Sequence, residues 1–158
     1  MNRERKFWLM KTEPYVFSLS DLERSPKQTA AWDGVRNYQA RNFLRDEFKP
    51  GDGVLFYHSS VDPAGIAGEA VVASAGVPDR SAFDSKSPYY DPKSDRAKPV
   101  WHAVDVRFVR AAKELITLAG LKSVPALKNM MLLRRGCRLS VQPVTPAEWA
   151  AIFKRAEW

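Results

Sequence analysis

The sequence has few of the residues on which metal centres and disulfides depend. It contains one cysteine, Cys137, and two histidines in 158 residues. A single cysteine excludes an internal disulfide and any zinc site built on cysteine pairs. His58 has no cysteine or second histidine at metal-binding spacing, so we expect it to act as a hydrogen-bonding group. We therefore expect neither a metal nor a cofactor.

Long apolar runs and phosphate-binding loops are also missing. No run approaches the roughly 20 apolar residues that a membrane-spanning helix needs. The charged residues 1–6 are followed by Phe7 to Met10 alone before Lys11, which is too short for a secretory signal. The Gly51 to Gly53 turn lacks the lysine of a P-loop. The expected location is cytoplasmic, or nuclear in a eukaryote.

What the chain does have is positive charge. Lysine and arginine number 25 against 18 acidic residues, a net charge of +7. Such a balance favours an anionic partner, with nucleic acid first and a membrane surface second. The length predicts a single domain over residues 1–158, and a monomer is the simplest oligomeric state.

The most informative stretch runs from Trp32 to Asn42. It opens with the turn pair Asp33-Gly34, and from Val35 there is no proline or glycine before Pro50. This pattern predicts a helix that starts near Val35. Its expected core-facing residues are the apolar ones at helical spacing, namely Val35, Tyr38, Phe43 and Leu44.

Polar residues are concentrated in the predicted first turns of this helix. Free backbone N–H groups there favour an anion, and the planar donors of Arg36, Asn37 and Arg41 suit a phosphate or a base edge. Trp32, just before the turn, offers a flat face for stacking. The alternative is a capped amphipathic helix with a core tryptophan and solvated arginines.

The remaining pattern predicts an α+β fold, with a mixed five-stranded sheet curled towards a barrel and flanked by short helices. Residues 27–31 are expected to be a linker. The proline-rich segment 75–99 is expected to be an ordered flap that carries Tyr90 and Lys93 towards the site. The predicted strands are 7–12, 54–58, 66–74, 100–109 and 138–144, and the other predicted helices are 18–24, 113–122, 125–135 and one following Thr145.

These residues contain the parts of a pocket for a nucleobase. Such a pocket needs aromatic walls, amide or hydroxyl groups for the base edge, and cations for the backbone. The candidate ligand-binding residues are Lys11, Glu13, Trp32, Val35, Arg36, Asn37, Arg41, Asn42, Tyr57, His58, Ser59, Tyr90 and Lys93.

Several of these motifs resemble the EVE domain family. The resemblance spans about Phe7 to Phe153, and its most specific block is Trp32 to Asn42. Three further matching motifs are Lys11 to Pro14, Phe56 to Ser59 and Tyr89 to Ser94, and a fourth is Arg138 to Val144.

The family is similar in fold to PUA and YTH domains, which bind RNA, often with a modified base in an aromatic cage. The resemblance therefore implies a PUA-like module that reads a modified base in DNA or RNA, modified cytosine in DNA especially. Trp32 and Tyr90 would stack on the base, Asn37 and Ser59 would read its edge, and the four cations Lys11, Arg36, Arg41 and Lys93 would contact phosphate or line the rim. Ser60 replaces the asparagine that usually follows His-Ser in the family.

Two other functions stay open. A hydrolase or glycosylase acting on a modified nucleoside would use Glu13 or Asp33 as its base, and we name no catalytic residue beyond this alternative. A domain that binds a protein partner, with incidental basic charge, would show no salt-dependent affinity for nucleic acid.

Overall fold

The computed structural model describes residues 4–158, which form seven strands and four α-helices around one mixed sheet. The strands are β1 (Phe7–Thr12), β2 (Thr29–Trp32), β3 (Gly53–His58), β4 (Gly65–Val72), β5 (Val77–Pro78), β6 (His102–Thr117) and β7 (Val141–Val144). The helices are α1 (Leu19–Arg24), α2 (Tyr38–Asp46), α3 (Leu118–Lys122) and α4 (Pro146–Arg155).

The α+β class is confirmed, but the predicted five strands are too few. Neighbouring strands follow the order β2-β6-β4-β3-β1-β7, and β5 pairs with the start of β6. Within the described part of the chain, β2 and β7 lie at opposite ends of this path, so the sheet is not closed into a barrel. The pair β1–β3 is parallel and the other pairs are antiparallel.

Alternation along the central strands divides the core between the two faces of the sheet. Val54 and Phe56 of β3 pack with Trp8 and Trp32 on one face. Leu55 and Tyr57 belong to the cluster on the other face, which α4 covers with Trp149 and Ile152 as the sequence predicted. Successive strand residues point to opposite faces, so neighbours in the chain enter different cores.

The helix in the central stretch begins later than predicted. Asn37 is the N-cap, and its side-chain oxygen accepts a hydrogen bond from the backbone N–H of Ala40. Asparagine is a preferred N-cap, and this cap places Val35 and Arg36 before the helix. Tyr38 is 62% exposed and not core-facing, whereas Val35 and Leu44 are buried.

Three other segments correct the predictions. Residues 27–31 are not only a linker, because β2 starts at Thr29 and pairs with β6. The helix expected at 113–122 is strand up to Thr117, because Ile116 and Thr117 pair with Ile66 and Gly65 of β4. Residues 125–135 form two short 3₁₀ turns in place of one helix.

The described residues include no helix long and apolar enough to cross a membrane.

Candidate nucleic-acid interface

A cavity of about 730 Å³ opens where β1 and β3 end. These strands are parallel and in register, so their carboxyl ends meet at the same edge of the sheet. The residues that follow them, together with β2 and two loops, enclose the space. The lining is Lys11, Thr12, Glu13, Val16, Phe17, Ala31, Trp32, Asp33, Gly34, Val35, Arg36, Ser59, Ser60, Pro88, Tyr89, Cys137, Arg138 and Ser140.

Two aromatic side chains form part of the wall. Trp32 is 7% exposed and meets Phe56 edge to face, with ring centroids 5.4 Å apart. Tyr89 lies against Gly34, where a Cβ atom would stand 2.7 Å from the tyrosine ring. Gly34 also has φ of +79°, which favours glycine. This one glycine therefore sets both the turn after β2 and the position of Tyr89.

A buried carboxylate holds this wall together. Asp79 accepts hydrogen bonds from the Arg36 guanidinium at 2.9 Å, from the Gly34 backbone N–H at 2.9 Å and from the Ser81 hydroxyl at 2.6 Å. Arg36 also donates to the backbone oxygen of Tyr89 at 2.6 Å. Burial alone would raise the pKa of Asp79, but these hydrogen bonds outweigh it and hold the pKa below its usual range.

The ionisable side chains of the cavity lining include Lys11, Asp33 and Glu13 besides two arginines. Burial lowers the pKa of Lys11, because the ammonium loses contact with water. Partial burial, with the negative charge of Asp79 nearby, raises the pKa of Asp33. Glu13 accepts a hydrogen bond from the Tyr15 hydroxyl. The site thus offers cations and two carboxyl groups beside the aromatic wall.

Six of the thirteen predicted ligand-binding residues line the cavity, and seven lie elsewhere. The six residues in the lining come from three separate segments of the chain, which the fold brings together. These six are Lys11, Glu13, Trp32, Val35, Arg36 and Ser59. Arg36 lies in the wall with its donors engaged by Asp79 and Tyr89, rather than free at the rim as expected.

The predicted ligand-binding residues from Asn37 onward in the central stretch are not part of the cavity lining. The side-chain oxygen of Asn37 accepts the capping hydrogen bond of α2. Arg41 donates to the backbone oxygen of Val100 at 2.7 Å and to the Asn42 side chain at 2.9 Å. The later start of α2 accounts for these contacts, because it makes Asn37 the N-cap and places Arg41 where it contacts the backbone at Val100.

The predicted residues on β3 serve the core. Tyr57 is 3% exposed and packs on the face of the sheet opposite Trp32. His58 accepts a hydrogen bond from the backbone N–H of Leu19 at 3.1 Å, and so ties β3 to α1. Burial lowers the pKa of His58, which keeps the imidazole a neutral acceptor.

The flap brings a different pair of residues to the site than predicted. Tyr90 and Lys93 are exposed and outside the lining, while Pro88 and Tyr89 are in it. Adjacent tyrosines in a turn have no periodicity that distinguishes the inward one. Gly34 leaves room for an aromatic ring, and only the structure shows that this ring is the one of Tyr89.

Sequence reasoning also missed the basic and small polar residues near β7. Cys137, Arg138 and Ser140 precede that strand and border the cavity, because β7 pairs antiparallel with β1. Ser60, at the end of β3, has φ of +61°. That left-handed conformation suits asparagine better than serine.

The described residues contain no cluster of three or more histidine, cysteine, aspartate or glutamate side chains that could hold a metal ion.

The chain is similar to known proteins over most of its length. The EVE domain family model matches residues 6–155. Human thymocyte nuclear protein 1 is 45% identical, over 95% of this chain and 73% of the human protein. A Schizosaccharomyces pombe protein of uncharacterised function is 38% identical, over 96% of this chain and 68% of its own.

Solved structures are similar over nearly the whole chain. Human THYN1, in complex with DNA containing 5-methylcytosine, has a TM-score of 0.90 and 44% identity, covering 95% of this chain and 96% of the human one. A Pseudomonas syringae protein has a TM-score of 0.89 and 47% identity, covering 94% and 98%. The family match and these similarities in sequence and fold therefore lead to one conclusion: the chain belongs to the EVE domain family.

Proposed function

We propose that this protein binds nucleic acid and holds a modified base, a 5-methylcytosine in DNA, in the cavity beside Trp32. The observation that carries the proposal is the cavity itself, where an aromatic wall, carboxyl groups and cations converge. Its volume of about 730 Å³ falls within the about 300–1,000 Å³ typical of ligand pockets. The DNA complex of the similar human protein supports the same ligand.

Each kind of lining residue matches one part of a nucleotide. Trp32 and Tyr89 are the stacking surfaces. Asp33 accepts a hydrogen bond from the exocyclic amino group of cytosine, the pairing that carboxylates make with this base. Val35 is buried at the cavity wall and offers an apolar contact for a 5-methyl group. Arg138 is exposed at the cavity and contacts phosphate.

Binding to two otherwise identical duplexes, with and without 5-methylcytosine, tests the proposal. We expect the methylated duplex to bind more tightly, and Asp33→Asn to weaken that binding by about tenfold, as the loss of one good base contact does. Asp105→Asn removes the same charge from the exposed face of β6 and is the matched control. Equal affinity of the unmutated protein for both duplexes would refute the proposal.

A second candidate is hydrolysis of a modified nucleoside. It is favoured by the two carboxyl groups at the cavity, because Asp33 has a raised pKa and Glu13 lies in the same lining. Turnover of 5-methyldeoxycytidine that is lost in Glu13→Gln would establish this activity. An absence of product with excess enzyme would eliminate it.

We infer a PUA-like relationship for the fold, which the resemblance implies. A TM-score of 0.57 to an ASCH protein of Zymomonas mobilis, at 11% identity, shows likeness of fold alone. The monomeric state and the cytoplasmic or nuclear location stay predictions.

A further inference from the structure

Two consecutive large apolar side chains project into solvent at the mouth of the cavity. Tyr15 is 69% exposed and Val16 is 56% exposed. Val16 lines the cavity, and Tyr15 reaches Glu13, another lining residue. Large apolar groups that are exposed side by side next to a pocket mark an interaction surface more often than isolated ones do.

The backbone holds these side chains in place. The N–H groups of Val16 and Phe17 both donate to the backbone oxygen of Glu13, each at 2.9 Å. Pro14 fixes one dihedral angle of the turn. Phe17, the next residue, packs against the core that contains Trp32. The turn is therefore anchored at both ends, and its tip is presented at little entropic cost on binding.

We propose that the Tyr15-Val16 turn enters the base stack of duplex DNA and occupies the gap left by the base that the cavity holds. This inference rests on the proposed function. A base inside the cavity must leave its duplex, and proteins that open a base step commonly insert apolar side chains between the remaining bases. Val16 is placed for this because it borders the cavity where the extruded base enters.

The chemistry of the surroundings selects nucleic acid as the occupant. Lys11 and Arg138 line the same cavity, and the whole chain carries a net charge of +7. An apolar tip beside a cavity that is lined by cations matches a base stack flanked by phosphates. The phenol ring of Tyr15 provides the flat surface for the adjacent base.

The experiment compares one 5-methylcytosine site in a duplex and in the single strand of the same sequence. For Tyr15→Ala/Val16→Ala we expect at least about tenfold weaker duplex binding, since a lost base–aromatic stack has an effect of that order. Tyr15→Ala alone should still weaken duplex binding, whereas its single-strand binding should change less than about twofold, because Tyr15 is outside the cavity lining and a single strand has no gap to fill. Tyr15→Phe keeps the ring and should retain duplex affinity.

The matched control is Tyr38→Ala/Val109→Ala, which removes one exposed tyrosine and one exposed valine away from the cavity. Unchanged duplex affinity in the Tyr15/Val16 variant would overturn the proposed insertion of the turn and leave the proposed function intact. Equal losses of Tyr15→Ala on duplex and single strand would also overturn it, because Tyr15 would then contact the bound base itself. If the unmutated protein showed no preference for 5-methylcytosine, both the proposed function and the proposed insertion of the turn would be refuted.

Discussion

The guanidinium of Arg36 lies 2.9 Å from the carboxylate of Asp79, whose side chain is fully buried. Asp79 follows β5 within the flap, whereas Arg36 lies between β2 and α2. Their contact joins two loops that are 43 residues apart in the chain, and it places Tyr89 beside Gly34. The wall of the cavity depends on this pair.

Arg36→Ala should destabilise the protein by about 2 kcal/mol. Removing one partner of a fully buried pair costs about 3–5 kcal/mol, and we expect less because the Arg36 side chain is 24% exposed. Chemical denaturation measures the change. Arg24→Ala breaks the exposed pair with Asp21 and should leave stability nearly unchanged. Equal effects of the two substitutions would contradict a special role for Arg36.

Gly34→Ala should both destabilise the fold and weaken binding of a modified base. The added methyl group meets the Tyr89 ring and the backbone is held at φ of +79°, a conformation that costs about 1–3 kcal/mol for other residues. Gly136→Ala is the control, because Gly136 has φ of +78° with open space around its Cβ position. Denaturation should show the larger loss for Gly34→Ala, and a similar loss in both would mean that Tyr89 moves aside freely.

Stability should fall as the pH drops below about 6.5, the ordinary pKa of histidine. Burial lowers the pKa of both His58 and His102 in the folded state. The unfolded chain therefore binds more protons in this range. The two histidines therefore contribute their full stabilisation of the fold above the pKa that they have in the unfolded chain. This contribution is lost as the pH falls through their pKa in the folded protein.

Thermal melting between pH 7.5 and pH 5 measures this dependence. In His58→Gln the melting temperature should depend less on pH, because glutamine does not titrate and His58 accepts the hydrogen bond of the Leu19 N–H. His102→Gln keeps the contribution of His58 to the pH dependence and serves as the comparison. An unchanged slope in His58→Gln would show that His58 does not contribute.

Lys11→Ala and Arg138→Ala should weaken binding of methylated and unmethylated duplexes to a similar degree. A cation that contacts one phosphate contributes about 0.9 to the slope of log K against log salt concentration. Titration at several salt concentrations should show that loss for each variant. Lys122→Ala changes the net charge equally but lies on α3 and outside the cavity lining, so its slope should match that of the unmutated protein.

Local signals predicted several elements well. The capping boxes at Ser18 and Thr145 define the starts of α1 and α4. The alternation of Val104 and Val106 with exposed neighbours predicted that part of β6. The capping boxes are predictable because their hydrogen bonds join residues close together in the chain. The strand is recognisable because its burial alternates with every residue.

The sequence by itself determined the α+β class, the positive charge, the family, and the segments that build the site, including Trp32 and the flap. Only the tertiary structure decided which side chains meet. The extension of β6 to Thr117 depends on pairing with β4, and the choice of Tyr89 over Tyr90 depends on Gly34 and Arg36. The physical reason is that both outcomes follow from contacts between residues far apart in the chain, which local propensity and periodicity do not encode.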